Sequence, residues 1–290
     1  MRIYLRTRGE LRHLDYHFLG AAPSRAWWRE FGDVNAFERP CVLAVGDGAD
    51  WRLYLGGIPS GRVDSVGTMI VYSLVVEGDA RSASEDRDSV LRLVATWVSA
   101  IAGRPGAEAL TAALDEAFPR EDVEKWLTEK GEAAQDVERE VAGRVLEVSG
   151  KLPEASMIAR LPEGLPARWI GGVRCPGAAE GYLDRIRRIL DGEPGEAHVL
   201  NMVAEGEDVV GLQSPRLAVL IEGSGIGDAT APIRSLTFRD PGGERRTDDP
   251  KDLSGTIRQQ VVRVAAVVIA AGLLAWVIYR LIRTGAPADD

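Results

Sequence analysis

From Val264 to Tyr279 the chain carries no charged residue, although 27% of the protein is charged and its formal net charge is −9. Extended past Arg263 and Arg280, the apolar run covers Val261 to Ile282. As a helix this is roughly 33 Å, which matches a bilayer hydrocarbon core of about 30 Å. Arg263 and Arg280 then sit one turn inside each end, where long side chains carry the guanidinium to the headgroups. Trp276 and Tyr279 lie near the far end, as interfacial aromatics do. A buried core helix would show a polar face and an interfacial helix a charged one, and this run shows neither. It reads as a transmembrane helix, with the lipid bilayer as its partner.

The flanks set an orientation. Arg245, Arg246, Lys251, Arg258 and Arg263 precede the run, whereas only Arg280 and Arg283 follow it before Asp289 and Asp290. The positive-inside tendency places the N-terminal side in the cytoplasm. The opening residues, MRIYLRTRGELRHLDYHF, contain no apolar core of a secretory signal, which agrees with that placement. The expectation is a single-pass, tail-anchored protein of the inner (plasma) membrane, with 283–290 as a short extracytoplasmic tail. Ala266 with Ala270, and Ala271 with Ala275, have the small-xxx-small spacing that supports helix pairing and a homo-oligomer. Lys occurs only at 125, 130, 151 and 251, and Arg, Ala and Gly are abundant, a composition that suggests a GC-rich bacterial genome. The acidic balance repels phosphate backbones, so nucleic acid is not expected as a partner.

Ahead of the anchor, residues 1–240 read as a cytosolic α+β, or mixed α/β, domain with helices covering a mixed sheet and a subdomain break near 150. Residues 241–260 read as a polar linker. Strands are expected at Ile3–Leu5, Tyr16–Leu19, Cys41–Val45, Trp51–Leu55 and Thr68–Val76, with a hairpin turn at Gly46-Asp47-Gly48. The aromatics of Pro23–Phe37 are expected to pack over this sheet. Ser82 and Glu85 have capping-box spacing ahead of a helix that Gly103 and Pro105 stop. Further helices are expected at Ala107–Ala117, Pro119–Lys130 and Glu132–Val148, the last two mostly solvated. Arg168–Val173, Ala197–Ala204, Leu217–Glu222 and Ile233–Arg239 read as strands, and Ala178–Leu190 as a helix.

Chemistry-bearing residues are few. On a strand, His13, Asp15 and His17 would share one face and offer a divalent metal two nitrogens and an oxygen; on a polar edge they are ordinary surface residues. Ser60, Arg62 and Asp64 fall in Gly56–Asp64, which reads as a loop between strands able to recognise a ligand or partner. Ile221–Gly227 is rich in glycine, yet neither a helix start nor a P-loop Lys follows, so it reads as a tight turn. Cys41 and Cys175 lack Cys-x-x-Cys spacing and read as reduced buried thiols. No cofactor signature is present, and no catalytic residue can be assigned.

These observations favour a membrane-tethered interaction protein whose cytosolic domain binds a protein partner or ligand. The rivals are a membrane-perturbing effector that oligomerises through its cytosolic domain, and a membrane-tethered enzyme of unknown reaction.

Overall fold

Alternating apolar residues in the first eighty positions build five strands: β1 (Arg2–Thr7), β2 (His17–Phe18), β3 (Cys41–Gly46), β4 (Asp50–Val63) and β5 (Met69–Asp79). The computed structural model describes residues 1–104, 107–129, 131–153 and 164–237. The expected span 261–282, with Arg263, Trp276, Tyr279 and Arg280, lies outside the described residues, as does the linker 241–260. Among the described residues, no helix is long and apolar enough to cross a membrane.

The β3–β4 hairpin forms at the expected turn, where the Asp47 carboxylate accepts the amides of Ala49 and Asp50 at 3.0 and 2.9 Å. Those two bonds hold its carboxyl below the usual range. β4 then runs on to Val63, well beyond the expected Leu55. Its register against β5 shifts between Leu55 and Ile58 and again between Pro59 and Val63. Two irregularities therefore carry glycine, proline and serine through a strand that composition alone would end.

Four helices follow: α1 (Ser84–Ile101), α2 (Ala107–Ala117), α3 (Arg120–Trp126) and α4 (Glu132–Lys151). The expected capping box does not form. Ala83 is the N-cap of α1, and the Ser82 hydroxyl instead accepts the Asp79 amide at 3.3 Å, closing the turn that leaves β5. α4 is less solvated than its charge suggests. Val137, Val141, Val145 and Val148 repeat at helical spacing, all buried, and the helix packs on β1, α1 and α2.

The remaining elements are β6 (Arg168–Gly172), α5 (Ala178–Leu190), β7 (Gly195–Leu200), β8 (Leu217–Ile221) and β9 (Arg234–Ser235). The nine strands of the described residues join one mixed sheet in the order β2-β1-β5-β4-β3-β7-β8-β6-β9. β6, β7 and β8 run parallel, and the other pairings are antiparallel. The sheet crosses residue 150 without a break, because β3 bonds β7 with Val42 opposite Val199. The protein is a mixed α+β domain, as the element pattern implies.

Each sheet face buries its own core. The helical face packs Ile3, Leu5, Leu53, Leu74, Val199 and Leu220 under α1–α5. The opposite face packs Tyr4, Leu43, Tyr54, Val75 and Val219 under a 3₁₀ turn at Trp27–Phe31. The aromatics of Pro23–Phe37 lie over the sheet as expected, with Trp28 stacked on Tyr54 at 5.5 Å and Phe37 edge-on to the same ring at 5.6 Å. Strands buried on both sides explain why β3 and β8 read as almost continuous apolar runs.

Candidate functional site

Two stretches singled out in the sequence, 13–17 and 56–64, meet at one end of the sheet. After β1 the chain reverses at once, with the Gly9 amide on the Leu14 carbonyl at 3.0 Å and the Leu14 amide on the Leu11 carbonyl at 2.9 Å. β2 then returns antiparallel to β1, pairing Arg6 with Phe18 and Thr7 with His17. Beside it, the β4–β5 hairpin turns at Asp64–Thr68, where Gly67 adopts φ +82°. The Asp64 carboxylate accepts the amides of Val66 and Thr68 at 3.0 and 2.8 Å and pairs with Arg8 at 3.2 Å. The bonds from the turn, together with Arg8, hold its carboxyl below the usual carboxylate range.

The polar groups behind the turn serve one another. Arg62 donates to the Thr7 hydroxyl at 2.9 Å and to the Arg8 carbonyl at 3.1 Å, and its guanidinium lies 5.1 Å from the Tyr72 ring centre. The Ser60 hydroxyl accepts the Arg62 amide at 3.1 Å. From α2, Asp115 accepts the Gly61 amide at 2.7 Å and the Tyr72 hydroxyl at 3.0 Å, while Thr111 donates to the Pro59 carbonyl at 3.0 Å. Burial, reinforced by Asp115, pushes the Tyr72 phenol up. Tyr16 completes the cluster: its hydroxyl accepts the Val71 amide at 3.1 Å, and Arg6 and Arg8 lie over its ring.

This geometry corrects two expectations. His13 and Asp15 lie in the reverse turn and only His17 enters a strand, so the three do not share a strand face. The Asp15 carboxylate accepts the Tyr16 amide instead. Among the described residues, no group of three His, Cys, Asp or Glu side chains is placed to hold a metal. Second, Gly56–Asp64 is not a loop. Ser60 and Arg62 belong to β4 and are engaged inside the clasp, and only Asp64 reaches the turn.

Apolar side chains are exposed at the tip of the clasp. Val66, at the apex, is 81% exposed, and the cross-strand pair Val63 and Met69 is 51% and 57% exposed. Leu11, on the neighbouring reverse turn, is 44% exposed. Ser65, Gly67 and Thr68 of the same turn are exposed as well, so these apolar side chains stand among small and polar neighbours. Thr111 and Asp115, four apart on an Ala-rich helix, were the sequence signal for the inner clasp, since that spacing puts both on one face.

Three further features are structural or charge-balanced. A cleft of about 360 Å³ lies at the far end of β4 and β5, where Glu77 stands opposite both Arg2 and Arg52 across the ladders. Its charges alternate in sign and define no single ligand. The glycines of 221–227 sit tight against the chain: a Cβ on Gly225 would come within 2.2 Å of the Asn201 carbonyl oxygen, and one on Gly227 equally close to that of Val203. Cys41 is fully buried, and that burial pushes its thiol up to about 12. Neither cysteine forms a disulfide.

Compared with protein families, curated proteins and solved structures, the chain shows no match. The hairpin end is therefore described by its own geometry: a hydrogen-bonded turn with exposed apolar side chains at its apex.

Proposed function

We propose that this chain is a single-pass, tail-anchored membrane protein whose N-terminal domain binds a protein partner and holds it at the inner membrane. The observation that carries this reading is the uncharged run Val264–Tyr279, bounded by Arg263 and Arg280 and preceded by the heavier load of basic residues. The exposed apolar apex of the β4–β5 hairpin supports the binding half, because Val63, Val66 and Met69 stand exposed on a turn that Asp64 ties through two backbone amides. Preorganised apolar anchors of this kind lower the entropic cost of association. A catalytic reading at 13–17 or 56–64 lacks the strand face or loop that it required.

The test pairs extraction with crosslinking. The full chain should stay in membranes through alkaline extraction, and an Ile269→Arg/Leu273→Arg variant should be released. A photocrosslinking residue at position 66 should give a discrete protein adduct that Val63→Asp/Met69→Asp abolishes. Release of the wild-type chain would remove the anchor, and an adduct that survives the double Asp variant would remove the hairpin from the partner surface.

A further inference from the structure

At the amino ends of the three parallel strands, away from the hairpin, arginines converge on one place. Ala167 precedes β6, Glu193 precedes β7, which Gly195 opens, and Arg216 precedes β8. The ends are tied together, with the Leu217 amide on the Ala167 carbonyl at 3.0 Å and the Glu196 amide on the Arg216 carbonyl at 2.8 Å. Over them α5 lays Asp184, Arg185 and Arg188. Gly195 lets the arginines close in, since a Cβ there would stand 3.3 Å from the Arg216 Cβ and 3.7 Å from the Arg185 Cδ.

The carboxylates in this cluster are already taken. Asp184 accepts from Arg188 at 2.8 Å, and Glu193 bridges Arg216 at 2.6 Å and Arg188 at 3.8 Å. Arg185 is left over. Among the described residues it makes a long bond, 3.5 Å, to the Ala167 carbonyl, and its Nε is buried there with no acceptor. Burial lowers its pKa, and the charges of Arg188 and Arg216 lower it further. A half-buried guanidinium pressed by two like charges, with a donor unsatisfied, is costly unless something anionic completes it. Arg188 and Arg216 are half-exposed, so the place is open to solvent.

We propose that Arg185, Arg188 and Arg216 form a binding site for a phosphate group, carried by inorganic phosphate or a small phosphomonoester. Three guanidiniums against two carboxylates leave one net positive charge, in a chain whose net charge is −9. Planar N–H forks match a tetrahedral oxyanion better than they match a third carboxylate, and Arg185 offers its unused donors to it. The site is separate from the hairpin and does not depend on the membrane reading.

The full chain, purified in a neutral detergent, is titrated at constant ionic strength with inorganic phosphate and, in a second arm, with glycerol 3-phosphate, following ³¹P line broadening. Chloride at the same ionic strength is the blank. Saturable binding of either ligand, weakened about tenfold or more by Arg185→Gln, is expected. Glu193→Gln should tighten it by freeing donors on Arg188 and Arg216. Phosphate and phosphomonoester binding no better than the blank would overturn the proposal, as would binding that Arg185→Gln leaves unchanged. Should Arg185→Gln lose its fold by circular dichroism, Arg216→Gln and Glu193→Gln decide: the first must weaken and the second strengthen binding, and any other pattern overturns the site.

Discussion

Cys41 shows how a chemically capable residue is made inert. It faces the aromatic-covered side of β3, wholly out of water, and its thiol is pushed up to about 12 by that burial. The thiolate is the reactive form, so a disulfide reagent at pH 8 should label Cys175 at least tenfold faster than Cys41 in the native protein, with equal rates after denaturation. Equal labelling rates in the folded protein would show that the β3 environment is more open than described. The same shift fixes a sign for stability. A thiol harder to ionise in the folded state than in the unfolded one costs nothing below its ordinary pKa, and the loss accumulates as pH rises from there toward about 12. None of this was visible in the sequence beyond the apolar context of Cys41-Val42-Leu43-Ala44. That context signalled burial, while the aromatics that cover this face come from a segment brought over the sheet by tertiary packing. His13, Asp15 and His17 teach the converse. Alternation along a line of residues places ligands together only if the line is a strand, and the Gly9–Leu14 turn breaks it.

Among the elements, α4 departs most from its sequence appearance. Glu, Arg, Asp and Lys crowd its surface, yet Val137, Val141, Val145 and Val148 form a narrow stripe against β1, α1 and α2. Val141→Ala should therefore destabilise the fold by about 2 kcal/mol, read as a lower denaturant midpoint with an unchanged slope. A change within about 0.5 kcal/mol would mean that the stripe is not core. Length and charge made this helix easy to place and its burial hard to see, because four valines suffice to bury a helix that is otherwise polar. β4 is the opposite case. Gly56, Gly57, Pro59 and Gly61 read as loop, and local propensity is overridden by pairing with β5 and by bonds from Thr111 and Asp115 of α2. The Ser82–Glu85 capping box likewise lost to a tighter local alternative, the turn through Asp79. Where periodicity was strong and uninterrupted, as in α1, α2 and α5, bounds and type were both legible.

At the scale of the molecule, the mixture of strands and helices was legible and the order of the sheet was not. Nothing in the sequence tells β3 to accept β7 as its second neighbour; that choice follows from the two-sided burial that β3, β7 and β8 all require. The same seam has a kinetic consequence. β3, β4 and β5 are joined by short turns and can zip from local contacts. The parallel half must close a loop of more than a hundred residues before Val42 meets Val199. Pulsed hydrogen exchange during refolding should accordingly show amides of β4 and β5 protected before those of β7, and simultaneous protection would contradict that order. On a ribosome the delay would be longer still, since β7 and β8 emerge well after β3. A nascent chain would thus hold half a sheet with the bare edge of β3 waiting, a state in which a chaperone that shields strand edges would have most to do.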